Sequence, residues 1–142
     1  MSKFTFVGPP LLVIGGSLLY HVAAKSVPKT VAPLAALIGV YFTALVASIV
    51  AYAVASRAST PPIAAISHPT VAAVGLGVLM IELGFLLTYR AAWPISVASV
   101  MMNGIVAVLL LPVGAALFGE AITAVRIAGV ALCLLGLALL QR

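Results

Sequence analysis

The chain has 142 residues, of which 65% are hydrophobic and only 6% charged, and its mean hydropathy is +1.35. This composition excludes an ordinary soluble domain, because so few charged side chains cannot give it a water-binding surface. The formal net charge of +5 does not indicate a nucleic-acid partner, because the cationic side chains are scattered between apolar runs and form no patch. The sequence therefore predicts a single integral membrane domain covering residues 1–142.

About 20 mostly apolar residues cross a hydrocarbon core of roughly 30 Å as an α-helix. Five such segments predict an all-α bundle of transmembrane helices at 7–24, 32–56, 69–89, 94–118 and 122–141. Pro33, Pro69 and Pro94 stand near helix starts, where a missing N–H costs little. Pro112 falls inside the fourth segment and predicts a kink there.

An odd number of crossings places the two chain ends on opposite sides of the membrane. One face then receives Lys3, Arg57 and Arg126, and the other receives Lys25, Lys29, Arg90 and Arg142. This distribution gives almost no positive-inside bias. Either the near balance is chance in a small count, or the chain inserts into the inner membrane both ways up. Dual insertion would allow two copies to pair as an antiparallel homodimer of ten helices.

Small residues recur at every fourth position of the second segment. They are Ala35, Gly39, Thr43, Ala47, Ala51 and Ala55. The abundance of alanine is one explanation, but a repeat of six positions that includes Gly and Thr favours a close helix contact. The pattern does not indicate whether the partner helix belongs to the same chain.

Glu82 lies well inside the third segment, where a carboxylate costs about 2.5 to 3.5 kcal/mol on insertion scales. It is a candidate for binding a cation, a coupling proton or a polar substrate group. The structural alternative is a hydrogen bond to a neighbouring helix or a contact toward Arg90, roughly 12 Å away along the helix axis.

Tyr41 and Asn103 lie at the same predicted depth as Glu82, near the middle of the bilayer. His21, with Tyr20 beside it, lies nearer one face. Equal depth makes these residues candidates for one substrate or ion site. Each of these residues also has a structural explanation. Tyr41 and Asn103 could bridge helices without binding a ligand, and His21 could be an interfacial residue.

Glu120 falls at the predicted turn between the last two segments and is interpreted as structural. Thr123 is placed to cap the next helix, and Arg126 is close enough to pair with the carboxylate. The chain has no Ser/His/Asp arrangement, glycine-rich phosphate loop or metal-ligand spacing. We therefore expect no enzyme activity, cofactor or metal.

The C-terminal third resembles the closing signature of EamA-type domains in the drug/metabolite transporter superfamily. The matching residues are Leu111-Pro112-Val113, Leu117 to Thr123, Ile127-Ala128-Gly129 and Leu135-Gly136. The resemblance implies a five-helix domain that usually occurs twice per chain in opposite orientations, with Glu120 at the family's acidic turn position. The last three segments also resemble small multidrug resistance proteins, whose first helix carries a proton-coupling acid that is absent here.

The sequence thus predicts a half-size transporter that moves a small metabolite or an amphipathic or cationic compound by alternating access as a homodimer. Glu82, Asn103 and Tyr41 are the residues expected to line a midplane cavity between helices 1 to 4. The expected points of flexibility are Pro112, Gly15 and Gly16. Its expected partners are a second copy, membrane lipid and a small molecule. The alternatives are a lipid-linked substrate flippase and a non-transporting helper subunit.

Overall fold

A computed structural model describes residues 3–55 and 67–140, and every regular element in these ranges is an α-helix. The helices are α1 (Lys3–Ser26), α2 (Pro33–Ala55), α3 (Pro69–Arg90), α4 (Ile95–Phe118) and α5 (Ala124–Leu140). Each of the five predicted segments is helical in the described residues, and the ends that fall within these residues differ by at most four positions. That all five cross a membrane stays a prediction. The predicted ends Ser56 and Gln141, and the cations Arg57 and Arg142, lie outside the described residues.

Proline and capping residues mark the helix starts. Pro33 and Pro69 are the first residues of α2 and α3, and Pro94 directly precedes α4. His68 caps α3, because its Nδ1 accepts a hydrogen bond of 3.3 Å from the N–H of Thr70. These local signals explain why the apolar runs begin as helices at these positions.

The interior prolines do not divide their helices. α1 begins at Lys3, earlier than expected, and continues through Pro9 and Pro10. α4 continues through Pro112 to Phe118. The kink expected at Pro112 stays a prediction.

Three of the helices, α2, α3 and α4, are long and apolar enough to cross a membrane. The apolar stretch of α5, Ala124–Gly136, is shorter. Large apolar side chains are exposed in all three long helices and in α1, including Leu12 at 79%, Val54 at 78% and Leu117 at 74%. Lipid chains are the solvent that such surfaces require, because water would leave this apolar area unfavourably hydrated.

The chain divides into two compact units. The first combines Met1–Val22 with Ala92–Arg142, and in it α4 packs against α5; Ala98 of α4 is fully buried. The second is Ala23–Ala91, in which α2 packs against α3. The expectation of one domain over the whole chain stays a prediction.

A small apolar core holds α2 and α3 together. Leu37 from α2 is buried, as are Phe85, Leu86 and Tyr89 from α3. The rings of Phe85 and Tyr89 are stacked, with centroids 5.9 Å apart. This core fixes the rotation of α3 relative to α2 and so determines which polar side chains meet between them.

Candidate functional site

Tyr41 and Glu82 meet between α2 and α3. Tyr41 lies one helical turn after the buried Leu37, and Glu82 lies three residues before the buried Phe85. Both side chains are partly buried, and the phenol and the carboxyl group interact electrostatically. Tyr41 is four residues from a core side chain and Glu82 is three residues from one. Each polar group therefore lies on the same face of its helix as the core, at the edge of the helix contact.

The facing polar atoms of this pair are not satisfied. The Tyr41 hydroxyl oxygen and Glu82 Oε2 are buried, and neither has a hydrogen-bond partner among the described residues. The two groups are therefore close enough to interact electrostatically, although no contact between them has the distance and angles of a direct hydrogen bond. Because buried polar groups are nearly always paired, this arrangement is typical of a place where a proton, an ion or a ligand group completes the bonding.

Basic side chains lie at one end of the same unit. The ammonium group of Lys25 lies 5.5 Å from the centroid of the Tyr89 ring. Arg90 donates a hydrogen bond through Nη2 to the carbonyl oxygen of Val31, in the turn between α1 and α2. In the described part of the chain, no ion pair joins Arg90 to Glu82. The guanidinium group thus ties the end of α3 to the turn and leaves the carboxylate without a countercharge from this residue.

The other unit contains an open cavity of about 610 Å³ lined by α1, α4 and α5, and most of its lining residues are exposed. Its lining residues are Ser17, His21, Ser99, Val100, Asn103, Gly104, Cys133 and Gly136. We refer to it as the α1/α4/α5 cavity. It brings together two of the predicted site residues, His21 and Asn103, whereas Tyr20 packs edge-to-face on His21 with ring centroids 5.1 Å apart.

The predicted group of equal-depth residues is thus distributed over the two units. Tyr41 lies with Glu82 in one, and Asn103 lies with His21 in the other. Sequence reasoning also missed Ser17, Ser99 and Cys133. A signal was present for the two serines, because Ser17 precedes His21 by four residues and Ser99 precedes Asn103 by four, which places each pair on one helix face.

Glu120 belongs to the turn that joins α4 to α5. Gly119 has a φ of +65°, the left-handed conformation that commonly ends a helix. The N–H of Glu120 donates to the carbonyl oxygen of Gly114 at 3.1 Å, so the chain folds back over the last turn of α4. A Cβ added at Gly114 would lie 3.2 Å from the Glu120 carboxylate, so glycine gives this side chain its room.

The same turn contains an ion pair. Arg126 Nη1 lies 3.3 Å from Glu120 Oε2 and donates to the carbonyl oxygen of Ala121 at 3.0 Å. The N–H of Arg126 donates to Thr123 Oγ1 at 3.3 Å, which caps α5. Because both charged side chains are more than half exposed, the pair positions the turn and adds little stability.

Within the described residues, no group of three or more His, Cys, Asp or Glu side chains is arranged to hold a metal ion. Comparison with protein-family models, curated proteins and solved structures gave no match to this chain. The resemblance to EamA-type domains therefore rests on the residues of the C-terminal motif alone.

Proposed function

We propose that this chain is half of a membrane transporter of the drug/metabolite type, in which the Tyr41–Glu82 pair binds a coupling proton or cation. In this proposal all five helices cross the inner membrane, and two copies in opposite orientation form a ten-helix unit. A small molecule then crosses by alternating access. The three long apolar helices support the membrane setting.

The buried, unpartnered oxygen of Glu82 is the observation that carries the proposal. An acid at membrane depth lowers the stability of the inserted chain, and an unsatisfied carboxylate oxygen lowers it further. A purely structural acid would recover part of this cost through hydrogen bonds to its neighbours. Reversible binding of a proton or a cation offsets this destabilisation only while the ligand is bound. Occupancy of the site can therefore shift the balance between two conformations of the protein.

The exposed face of α2 supports pairing of two copies. The small residues repeated at every fourth position, from Ala35 to Ala55, are all exposed in the single chain. Such a face allows two helix backbones to approach closely. Substitution Ala47→Leu should therefore weaken the dimer in lipid, whereas Ala53→Leu, on the same helix but outside the repeat, should not. Subunit counting by single-molecule photobleaching would measure both, and an unchanged dimer fraction for Ala47→Leu would contradict this interface.

Flux through reconstituted vesicles tests the proposed role of Glu82. Wild-type protein is compared with Glu82→Gln on a panel of amphipathic cations, neutral metabolites and organic anions, with and without a pH gradient. An internal pH dye reports proton movement. The proposal expects transport to depend on the gradient in wild type and to be lost in Glu82→Gln, because an amide cannot bind and release a proton.

Glu120→Gln is the matched control, because it makes the same chemical change in an exposed carboxylate at the α4–α5 turn. It should retain wild-type flux and wild-type gradient dependence. Equal flux in wild type and Glu82→Gln would remove the acid from the mechanism. Loss of flux in both variants to the same degree would indicate a general effect of charge and would also contradict the proposal.

A further inference from the structure

We propose that the α1/α4/α5 cavity is a binding site for a small uncharged molecule that has an apolar body and hydrogen-bonding groups. The site uses none of the residues of the Tyr41–Glu82 pair, so it goes beyond the function proposed above and does not depend on it. It is built from five polar side chains, contributed by three helices, that line one cavity.

The size of the cavity fits a metabolite or a fragment of a drug-sized molecule. Its volume of about 610 Å³ lies within the range of roughly 300 to 1,000 Å³ that small-molecule sites occupy. Gly136 is one of the lining residues, and a Cβ added there would meet no atom within 4 Å. A larger side chain at this position would therefore extend into the space that we assign to the ligand.

The polar side chains provide both donors and acceptors. Asn103 offers an amide that can donate and accept, and His21 offers an imidazole. The Ser99 hydroxyl donates to the carbonyl oxygen of Ile95 at 2.9 Å, so toward the cavity it presents an acceptor. Ser17 and Cys133 complete the set. A ligand with an amide or a hydroxyl group finds complementary partners here, while the helix surfaces between them contact its apolar part.

The charge of the lining selects an uncharged ligand. Among the eight residues that line the cavity there is no carboxylate and no Lys or Arg side chain. A charged molecule that entered would lose hydration without gaining a fully ionised countercharge, which is strongly unfavourable in an apolar setting. An uncharged molecule loses only hydrogen bonds with water, and the lining can replace them.

Cys133 makes the site directly testable, because it is the single cysteine of the chain and lines the cavity. The rate of its reaction with a maleimide is measured on protein in lipid nanodiscs. Three probes of nearly equal shape are added: benzamide, benzoate and benzylammonium. At the ligand efficiency of drug-sized molecules a fragment of this size has a Kd of roughly 10 mM, so about 90 mM benzamide should slow the reaction roughly tenfold. Benzoate and benzylammonium should slow it less than twofold.

Variants separate occupancy of the cavity from damage to the fold. Gly136→Leu should slow the reaction without any probe, whereas Ala131→Leu, which is outside the lining and on the opposite face of the same helix from Cys133, should leave the rate unchanged. Asn103→Ala should keep the wild-type rate without a probe and lose most of the protection by benzamide. Labelling in SDS confirms that the thiol of each variant is intact.

The outcomes are distinct from those of the flux experiment. In the Glu82→Gln variant, benzamide should slow the reaction of Cys133 with maleimide as much as in wild type, because Glu82 lies outside the cavity lining. Protection by benzylammonium or benzoate equal to that by benzamide would overturn the proposed selectivity for an uncharged ligand. No protection by any probe, including the case in which lipid already blocks the thiol, would overturn the site itself.

Discussion

Replacement of Tyr41 by phenylalanine is expected to stabilise the protein while impairing its activity. The hydroxyl oxygen of Tyr41 is buried and has no hydrogen-bond partner among the described residues. A buried polar group without a partner costs about 1 to 3 kcal/mol. Phenylalanine removes this group and keeps the ring that contacts the helix interface, so we expect the free energy of unfolding to rise by about 1 kcal/mol.

The sign of this effect distinguishes two descriptions of the pair. If the hydroxyl donated a hydrogen bond to the ionised Glu82 carboxylate, removing it would instead cost about 1.5 to 3 kcal/mol. The cycle of Tyr41→Phe, Glu82→Gln and the double variant measures the coupling directly. Because the two groups interact electrostatically but form no direct hydrogen bond in the structure, the coupling free energy should be about 1 kcal/mol or less, below that of a charge-assisted hydrogen bond.

The required free energies are obtained from reversible unfolding in bicelles, measured by steric trapping. Tyr52→Phe is the matched control, since Tyr52 lies on the same helix and is 36% exposed. Its effect should stay within about 0.5 kcal/mol. A destabilisation of more than about 1 kcal/mol in Tyr41→Phe would refute the reasoning, because it would require a hydrogen bond that the structure does not contain. A stabilised variant with reduced flux would be the trade-off expected of a ligand site.

Three further substitutions test the packing and the turn. Leu86→Ala should cost about 2 to 5 kcal/mol, because Leu86 is 4% exposed, whereas Leu87→Ala, at 49% exposed, should cost less than half as much in the same unfolding assay. Gly119→Ala should cost about 1 to 2 kcal/mol through its left-handed φ, and the helical Gly129→Ala should instead be neutral or stabilising. Arg126→Gln should lower the free energy of unfolding by less than about 1 kcal/mol in the same assay, because its ion pair is exposed. A loss of more than about 2 kcal/mol would contradict this.

The helices themselves could be read from the sequence, because each depends on local information. An apolar run long enough to cross a bilayer, opened by a residue such as Pro33 or Pro69, specifies both the element and its start. The start of α5 was less well predicted, at 122 instead of Ala124, because Thr123 caps the helix and so stands before it.

Depth in a helix could also be predicted, but rotation could not. Depth depends only on the number of residues from the helix end, and equal depth made Tyr41, Glu82 and Asn103 candidates for one site. Rotation depends on which face is buried, and α2, α3 and α4 are apolar around most of their circumference. The sequence therefore contained no pattern to show that Asn103 would line a cavity with His21.

The two acids of the chain show how environment separates their roles. Both are glutamates, and both were recognised in the sequence as exceptions in an apolar chain. Glu120 lies at a helix turn, is 59% exposed and pairs with Arg126. Glu82 lies within α3, and one of its oxygens is buried without a partner beside the Tyr41 hydroxyl. Because Glu120 is exposed and has a local countercharge, its carboxylate destabilises the protein little. Its role in the turn is enough to explain its presence. Glu82 has neither a countercharge nor a full set of hydrogen bonds in the described part of the chain, and a binding role accounts for its cost.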